Sequence, residues 1–369
     1  MIRLLLAGGG HAHVEVLRSF ARSPPTGVEV VVVTPSPALL YSGMVPGVIA
    51  GHYAAADATI DLAALARAAG ARFVVAAVTA LDVDRRIATT SEGAAIAFDV
   101  ASLDVGAIVD ASVPGAALNA IPVRPLAGLV AACERLCDDA ARGAVRRVAV
   151  IGGGAAGVEI ACAIGHRLRA APSAAAVALV TDQREIAASH PPAVRRRLAR
   201  ALDRRGIDVV AGRAARAVDA AGLVLDGGGR VDADRIVLAT PAAAAPWLAG
   251  SALACDAAGF VQIDACLRSV SHPAVFAAGD CATRVDAPHP RSGVYAVRAG
   301  PPLARNLRRV VDGGALVEFR PQRVALALIS LGDREAVASR PPWSAEGRLL
   351  WRWKARIDRR FVARYREPG

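Results

Sequence analysis

Two short apolar runs, each stopped by three consecutive glycines, set the hydrophobic pattern of this chain. Residues 2–7 are apolar apart from Arg3 and lead into Gly8-Gly9-Gly10, and residues 148–151 lead into Gly152-Gly153-Gly154. Runs of this length bounded by a turn signal predict buried strands of a parallel sheet. After each turn the apolar positions take helical spacing, over residues 11–20 and again at Gly157, Val158, Ile160, Ala161 and Ile164. The order strand, glycine turn, helix thus occurs twice, about 145 residues apart.

The remaining pattern extends both units. Further strands are predicted at 28–33, 73–78, 176–180, 207–210, 236–238 and 275–278, with a small meander over 86–90 and 95–98. Helices are predicted at 61–69, 192–205, 293–311 and 348–366. Residues 41–47, YSGMVPG, read as a loop from their Gly and Pro content, either covering a bound cofactor or forming a plain surface turn. Pro114-Gly115 and the prolines from Pro122 to Pro125 mark a crossover between domains. Strands alternating with helices predict an α/β fold with two Rossmann-like, dinucleotide-binding domains.

The second turn carries the full G-x-G-x-x-G spacing in Gly152, Gly154 and Gly157. The first glycine allows the tight turn, the second lets backbone approach a pyrophosphate, and the third lets the helix pack close. The helix N-terminus then offers free N–H groups to the phosphates. Asp182, 25 residues past Gly157, is placed to hold an adenosine ribose, whereas Arg184 would accept a 2′-phosphate, so NADH is favoured only slightly over NADPH. The first turn departs from the pattern. His13 stands where the third glycine belongs, and Thr34 where a ribose-binding carboxylate is usual. A third informative stretch, residues 275–280, is an apolar strand ending in Gly279-Asp280, where a carboxylate can meet cofactor hydroxyls.

Composition narrows the class. At 369 residues with 54% apolar and 21% charged positions, the chain predicts two or three globular domains. The net charge of +11 is spread along the chain and is almost all arginine, Lys354 being the single lysine. With no nucleic-acid-binding motif beside it, that charge suits anionic lipids or cofactors, and no nucleic-acid partner is expected. The six cysteines form no C-x-x-C pair, so no metal site and no redox dithiol are expected. No apolar run reaches membrane-span length, no signal peptide is recognised, and a cytoplasmic location is expected. The tail Arg348–Arg366 places Leu350, Trp353, Ile357 and Phe361 on one helical face, with arginines elsewhere. Such a helix lies on an anionic membrane surface or packs on the protein's own core or on a partner subunit.

Taken together, the two glycine turns and the Gly279-Asp280 strand end resemble the FAD-dependent pyridine nucleotide–disulfide oxidoreductase superfamily. The resemblance implies a discontinuous FAD domain (1–120 and 255–318), an inserted NAD(P)H domain (121–254) and a small C-terminal α+β region (319–369). It places Gly8, Gly10, His11, Thr34, Pro46, Gly279 and Asp280 at FAD, and Gly152, Gly154, Gly157 and Asp182 at NAD(P)H. Glu159 would be the carboxylate near both reactive rings, the one catalytic residue expected. The segments GGGHAHVEVLRSF, YSGMVPGVIAGHY, SGVYAVRAGPPLARNL and WRWKARIDRRF resemble a subgroup similar to type II NADH dehydrogenases and associated with selenide, water dikinase. The chain stops at Gly369, so that dikinase activity is not expected of it. Arg124 stands where the subgroup commonly has Lys, and Pro241 replaces a glycine of the usual turn. No cysteine precedes Cys133, and none follows Cys281. Protein-thiol chemistry at the flavin, as in disulfide reductases or sulfide:quinone oxidoreductases, is therefore not expected. The implied activity is hydride transfer from NAD(P)H to FAD and electron delivery to a quinone or similar small acceptor. A flavoenzyme acting on a small sulfur or selenium compound and a non-catalytic nucleotide-binding redox sensor are the alternatives. A homodimer is left open.

Overall fold

The computed structural model describes residues 1–170 and 175–366. Two five-stranded parallel sheets share one plan. The first runs Val275–Ala277, Val100–Leu103, Ile2–Ala7, Val28–Thr34, Arg72–Val75. The second runs Ala120–Pro122, Arg235–Leu238, Arg147–Ile151, Ala176–Thr181, Ile207–Ala211. In each, the glycine turn follows the central strand. The strands on its two sides belong to different halves of the winding, which makes the turn the topological switch point where α/β sheets bind ligands.

The strands are buried because the sequence gives them apolar residues on both faces. Leu4, Leu5, Leu6 and Ala7 are completely inaccessible, as are Ala149 and Val150 in the second sheet. Such continuous burial is what a sheet covered by helices on both sides requires. The helix His11–Arg22 packs against Gly293–Asp312, and Gly300 makes this approach close: a Cβ there would lie 2.7 Å from the Glu15 side chain. The strand Val275–Ala277 joins the first sheet only after the chain has built the second. The crossover segments pair with each other, Ile108–Val109 antiparallel to Ala242–Ala243.

The repeat goes further than the sequence pattern suggests. The expected meander is present as Val78–Asp82, Ile87–Thr90 and Ala95–Ala97, and a second one, Ala215–Asp219, Gly222–Leu225 and Arg230–Asp232, occupies the same place in the second unit. The strand expected over 73–78 is two strands, because the chain leaves the parallel sheet after Val75 and enters the meander at Val78.

Residues 41–47 are not a loop. They form a 3-10 turn, Ser42–Met44, and the start of a helix, Val45–Ile49. Pro46 lies in the first helical turn, where its missing N–H breaks no bond. Gly47 lies against the Tyr53 ring, where a Cβ would come within 2.4 Å. Both punctuating residues therefore serve packing rather than chain reversal.

A three-stranded antiparallel sheet, Ala327–Ser330, Ala336–Arg340 and Trp343–Gly347, leads into the last helix, Arg348–Arg366. The expected single apolar face of this helix is split. Phe361 turns inward with Ala355, Asp358, Val362 and Tyr365, whereas Leu349, Trp353 and Ile357 face outward. The inward stripe finds aromatic partners on the first unit, which outweighs the alignment of Phe361 with Trp353 and Ile357. No helix among the described residues is long and apolar enough to cross a membrane.

Candidate functional site

The site is built where the first glycine turn, the Gly279-Asp280 strand end and the last helix converge. Gly8 has φ +94° and Gly152 φ +123°, so both turns open in backbone conformations that favour glycine. Each touches the residue just past the neighbouring strand: a Cβ on Gly8 would lie 2.4 Å from the Asp104 carbonyl oxygen, and one on Gly152 2.1 Å from that of Ala239. Thr34 and Thr181 are also equivalent. Each is buried behind the middle glycine of its turn, against Gly9 and Gly153. The next residue is Pro35 in the first unit and Asp182 in the second, so only the second unit presents a carboxylate there.

At the second turn a Cβ on Gly157 would lie 1.8 Å from the Gly152 carbonyl oxygen, which explains the third glycine. At the first turn His13 fills this place differently. Its ring donates from Nδ1 to the Gly8 carbonyl (2.6 Å), and Nε2 accepts the Ser102 hydroxyl (2.8 Å). Burial lowers the His13 pKa to about 4, so the ring is neutral, as this bonding requires. The imidazole thus braces the turn through the Gly8 carbonyl.

Asp280 follows Gly279 and is ion-paired with Arg124 at 2.7 Å, which is the contact made by the arginine that departs from the family pattern. Both charges bear on His11, whose pKa burial lowers to about 4. Its buried Nε2 has no hydrogen-bond partner among the described residues. An orphaned ring nitrogen beside a glycine turn fits a bound group with its own polar atoms, as FAD has. The backbone N–H groups of Gly9 and His11 are likewise uncommitted among the described residues.

The last helix closes this region. Phe361 stacks on Tyr41 (ring centroids 4.4 Å apart) and lies 6.2 Å from His11. The Tyr365 hydroxyl donates to Glu15 at 2.7 Å. Lys354 donates to Asp358 at 2.7 Å and to the Gly43 carbonyl, and both ends of this ion pair are buried. Burial holds the Tyr41 phenol above its ordinary range, reinforced by Asp358. The N-terminus of the helix Gly293–Asp312 abuts the same turn, with Ser42 Oγ 3.2 Å from a Cβ built on Gly293.

Glu159 lies in the second turn of the helix Ala155–Arg169, and its Oε1 accepts the Ser330 N–H at 2.8 Å. Burial pushes its carboxyl up, while Lys354 and the Ser330 amide pull it down. Lys354, on the last helix, therefore acts electrostatically on Glu159 of the second unit while bonding to Gly43 of the first. Pro46 is buried at the start of the short helix that packs toward Ala155–Arg169. Asp182 is exposed beside Gln183, and Arg184 is exposed nearby.

The structure thus gathers Gly8, Gly10, His11, Thr34, Gly279 and Asp280 around the first turn, and Gly152, Gly154 and Gly157 around the second. Sequence reasoning missed Asp104 and Lys354. The available signals were a carboxylate directly following a buried strand and the single lysine of the chain. All six cysteines are free, and no cluster among the described residues could hold a metal ion.

Comparison with known proteins agrees with this architecture. Residues 3–300 match the family model described as pyridine nucleotide-disulphide oxidoreductase. An NADH dehydrogenase-like protein of Mycobacterium tuberculosis is 31% identical over 247 residues, and the match spans 64% of this chain and 61% of that relative's length. Among solved structures, the sulfide:quinone oxidoreductase of Aquifex aeolicus is similar in fold, with TM-score 0.83 at 16% identity over 100% of this chain and 92% of that one. NDH2 from Plasmodium falciparum, solved with NADH, gives TM-score 0.81 at 12% identity over 99% and 97% of the two chains. On the family match and the paired dinucleotide folds, the chain belongs to the pyridine nucleotide-disulphide oxidoreductase family, whose members bind FAD and NAD(P)H.

Proposed function

We propose that the chain is an FAD-dependent NAD(P)H dehydrogenase that delivers electrons to a quinone or similar small acceptor. The observation that carries this reading is the pair of glycine turns at equivalent switch points, with Lys354 bonded to Gly43 of the first unit and acting on Glu159 of the second. FAD, when bound, supplies the redox chemistry, accepting hydride and passing electrons on. The chain's own part is to bind and orient. The first turn with Asp280 and His11 holds FAD, and Gly152, Gly154, Gly157 and Asp182 hold NAD(P)H. Glu159, held by the Ser330 amide, would be the carboxylate available to the reacting rings. The stacked Tyr41–Phe361 pair and the buried Lys354–Asp358 bridge exclude water and fix the last helix across the site. The domain limits follow from the same reading: FAD domain 1–120 and 255–318, NAD(P)H domain 121–254, and C-terminal region 319–369.

The outer stripe of the last helix supports peripheral contact with a membrane, from which a quinone would be drawn. Leu349, Trp353 and Ile357 are 76%, 44% and 42% exposed and stand among the exposed Arg348, Arg352, Arg356 and Arg360. Apolar and aromatic residues ringed by arginine suit an anionic lipid surface. The activity is tested by anaerobic NADH addition to the FAD-loaded protein, followed by a quinone, a selenium species or a sulfur species in separate cuvettes. Reoxidation by quinone alone supports the reading, and reoxidation only by the sulfur or selenium species overturns it. Co-sedimentation with anionic but not neutral vesicles tests the membrane contact.

A further inference from the structure

The two glycine turns differ in one respect that the shared fold makes easy to isolate. At the second turn, a Cβ built on Gly154 meets nothing within 4 Å, so the helix N-terminus is open. At the first, a Cβ on Gly10 would lie 2.3 Å from the Asp104 carboxyl group. Asp104 Oδ2 accepts the N–H groups of Ala12 (2.8 Å) and His13 (3.0 Å), two of the amides a helix start would offer to a phosphate. The equivalent residue of the second unit is Ala239. Asp104 N donates to Ala7 O as Ala239 N donates to Ile151 O, and each residue's carbonyl presses on the first glycine of its turn. The chain therefore holds an anion of its own in one phosphate cradle and none in the other.

Asp104 has no room to swing aside. It is 2% exposed, and its backbone is fixed by the Ala7 carbonyl and by the Gly10 N–H, which donates to Asp104 O at 3.1 Å. Its Oδ1 faces Gly279, where a Cβ would come within 2.4 Å. A pyrophosphate settling on the free N–H groups of Gly9 and His11 would bring two further negative charges beside a fixed, buried carboxylate. At short range in a low-dielectric setting that repulsion is large, and a carboxyl relieves it by taking a proton.

We infer that Asp104 is a proton-linked gate on the first dinucleotide site: FAD binds there with uptake of one proton by the Asp104 carboxylate. The proton comes from solvent and rests on Oδ1, while Oδ2 continues to accept the Ala12 and His13 amides. The groups facing Asp104 favour this. Burial, with a smaller contribution from Asp280, raises its carboxyl to about 7 against the pull of the His13 and Ala12 amides. Cys281, on the same turn as Asp280, is a buried neutral thiol pushed up to about 12. His13 and His11 are held neutral by burial, and Arg124 is engaged by Asp280. No cation among these groups neutralises Asp104 directly.

This inference rests on FAD occupying the first turn, and the experiment separates the two. FAD is titrated into the full-length protein at a series of pH values, with fluorescence quenching as the affinity readout. Proton uptake is counted with a pH indicator in weak buffer. The dissociation constant is expected to rise about tenfold per pH unit above about pH 7, with close to one proton taken up per FAD bound at pH 8.5. Asp104→Asn, which keeps an acceptor for both amides, and Asp104→Ala, which copies Ala239, should each flatten the slope and abolish the uptake. NAD⁺ binding at the second turn should be flat over the same range. FAD binding with no proton uptake by the wild-type protein overturns the inference and leaves the flavin site standing. Failure of FAD to bind at any pH overturns both. An unchanged slope in the two variants assigns the proton elsewhere and also overturns it.

Discussion

Replacing Lys354 by Met tests whether the last helix is held across the site by a buried charge pair. The Lys354 and Asp358 side chains are only 11% and 7% exposed and meet at 2.7 Å. Lys354 also gives the Gly43 carbonyl a charged donor. The substitution keeps the apolar stem and removes the ammonium, so Asp358 is left buried without its partner. Breaking a buried pair from one side costs about 3–5 kcal/mol, whereas replacing both partners with apolar residues of similar volume is often neutral. Lys354→Met should therefore destabilise the protein by about 3–5 kcal/mol, and Lys354→Met/Asp358→Leu should recover most of that loss. Urea unfolding followed by Trp fluorescence is a suitable assay, because Trp351 and Trp353 lie on the same helix. Unfolding in a protein of several domains need not be one step, so the transition that moves these tryptophans is the one compared. The same variant should lower the affinity for FAD, since the helix carries Phe361 onto Tyr41. A single variant costing less than about 1 kcal/mol, or a double variant no better than the single, would refute the reasoning.

Three further outcomes follow from the geometry. Gly157→Ala places a Cβ 1.8 Å from the Gly152 carbonyl oxygen, and overpacking of roughly 1–3 kcal/mol should weaken NADH binding by roughly 5- to 150-fold. FAD affinity should not change, which fluorescence titration of each nucleotide would check. Arg124→Ala removes the partner of Asp280, and because the arginine is 35% exposed the effect is set at about 1 kcal/mol, or about fivefold weaker FAD retention. Arg124→Lys should restore most of it in equilibrium dialysis. His13 is neutral in the fold, with its pKa lowered to about 4 by burial, whereas the unfolded chain titrates near 6.5. Its contribution is complete above pH 6.5 and is lost as pH falls towards 4, by up to about 3 kcal/mol, because only the unfolded state takes the proton in that window. His13→Gln should show a flatter pH dependence of urea stability between pH 6.5 and 4. An identical slope would exclude His13 as the titrating group.

Much of the fold was legible because its signals are local. Each strand, turn and helix start lies within about twenty residues, and glycine at fixed spacing has few structural uses. Both glycine turns and the Gly279-Asp280 strand end were found in this way. The features that close the site are non-local. Asp104 reaches Ala12 across 92 residues, Glu159 meets Ser330 across 171, and Lys354 meets Gly43 across 311. Hydropathy carries no trace of such contacts. The YSGMVPG stretch misled for a different reason. Pro and Gly break helices in general, but Pro is tolerated in a first turn and glycine is demanded by a ring in close contact. The last helix reads as having one apolar face, and only the aromatic partners Tyr41 and His11 decide that Phe361 turns inward away from Trp353 and Ile357.

The central claim is that two nucleotides bind at neighbouring switch points with their reactive rings in contact. The most direct measurement is the absorbance spectrum of the FAD-loaded protein before and after anaerobic NADH, and then after a quinone. The account predicts stoichiometric FAD, loss of the oxidised flavin band within the mixing time, and its return on quinone addition. A protein that binds both nucleotides but whose flavin band survives excess NADH would contradict it.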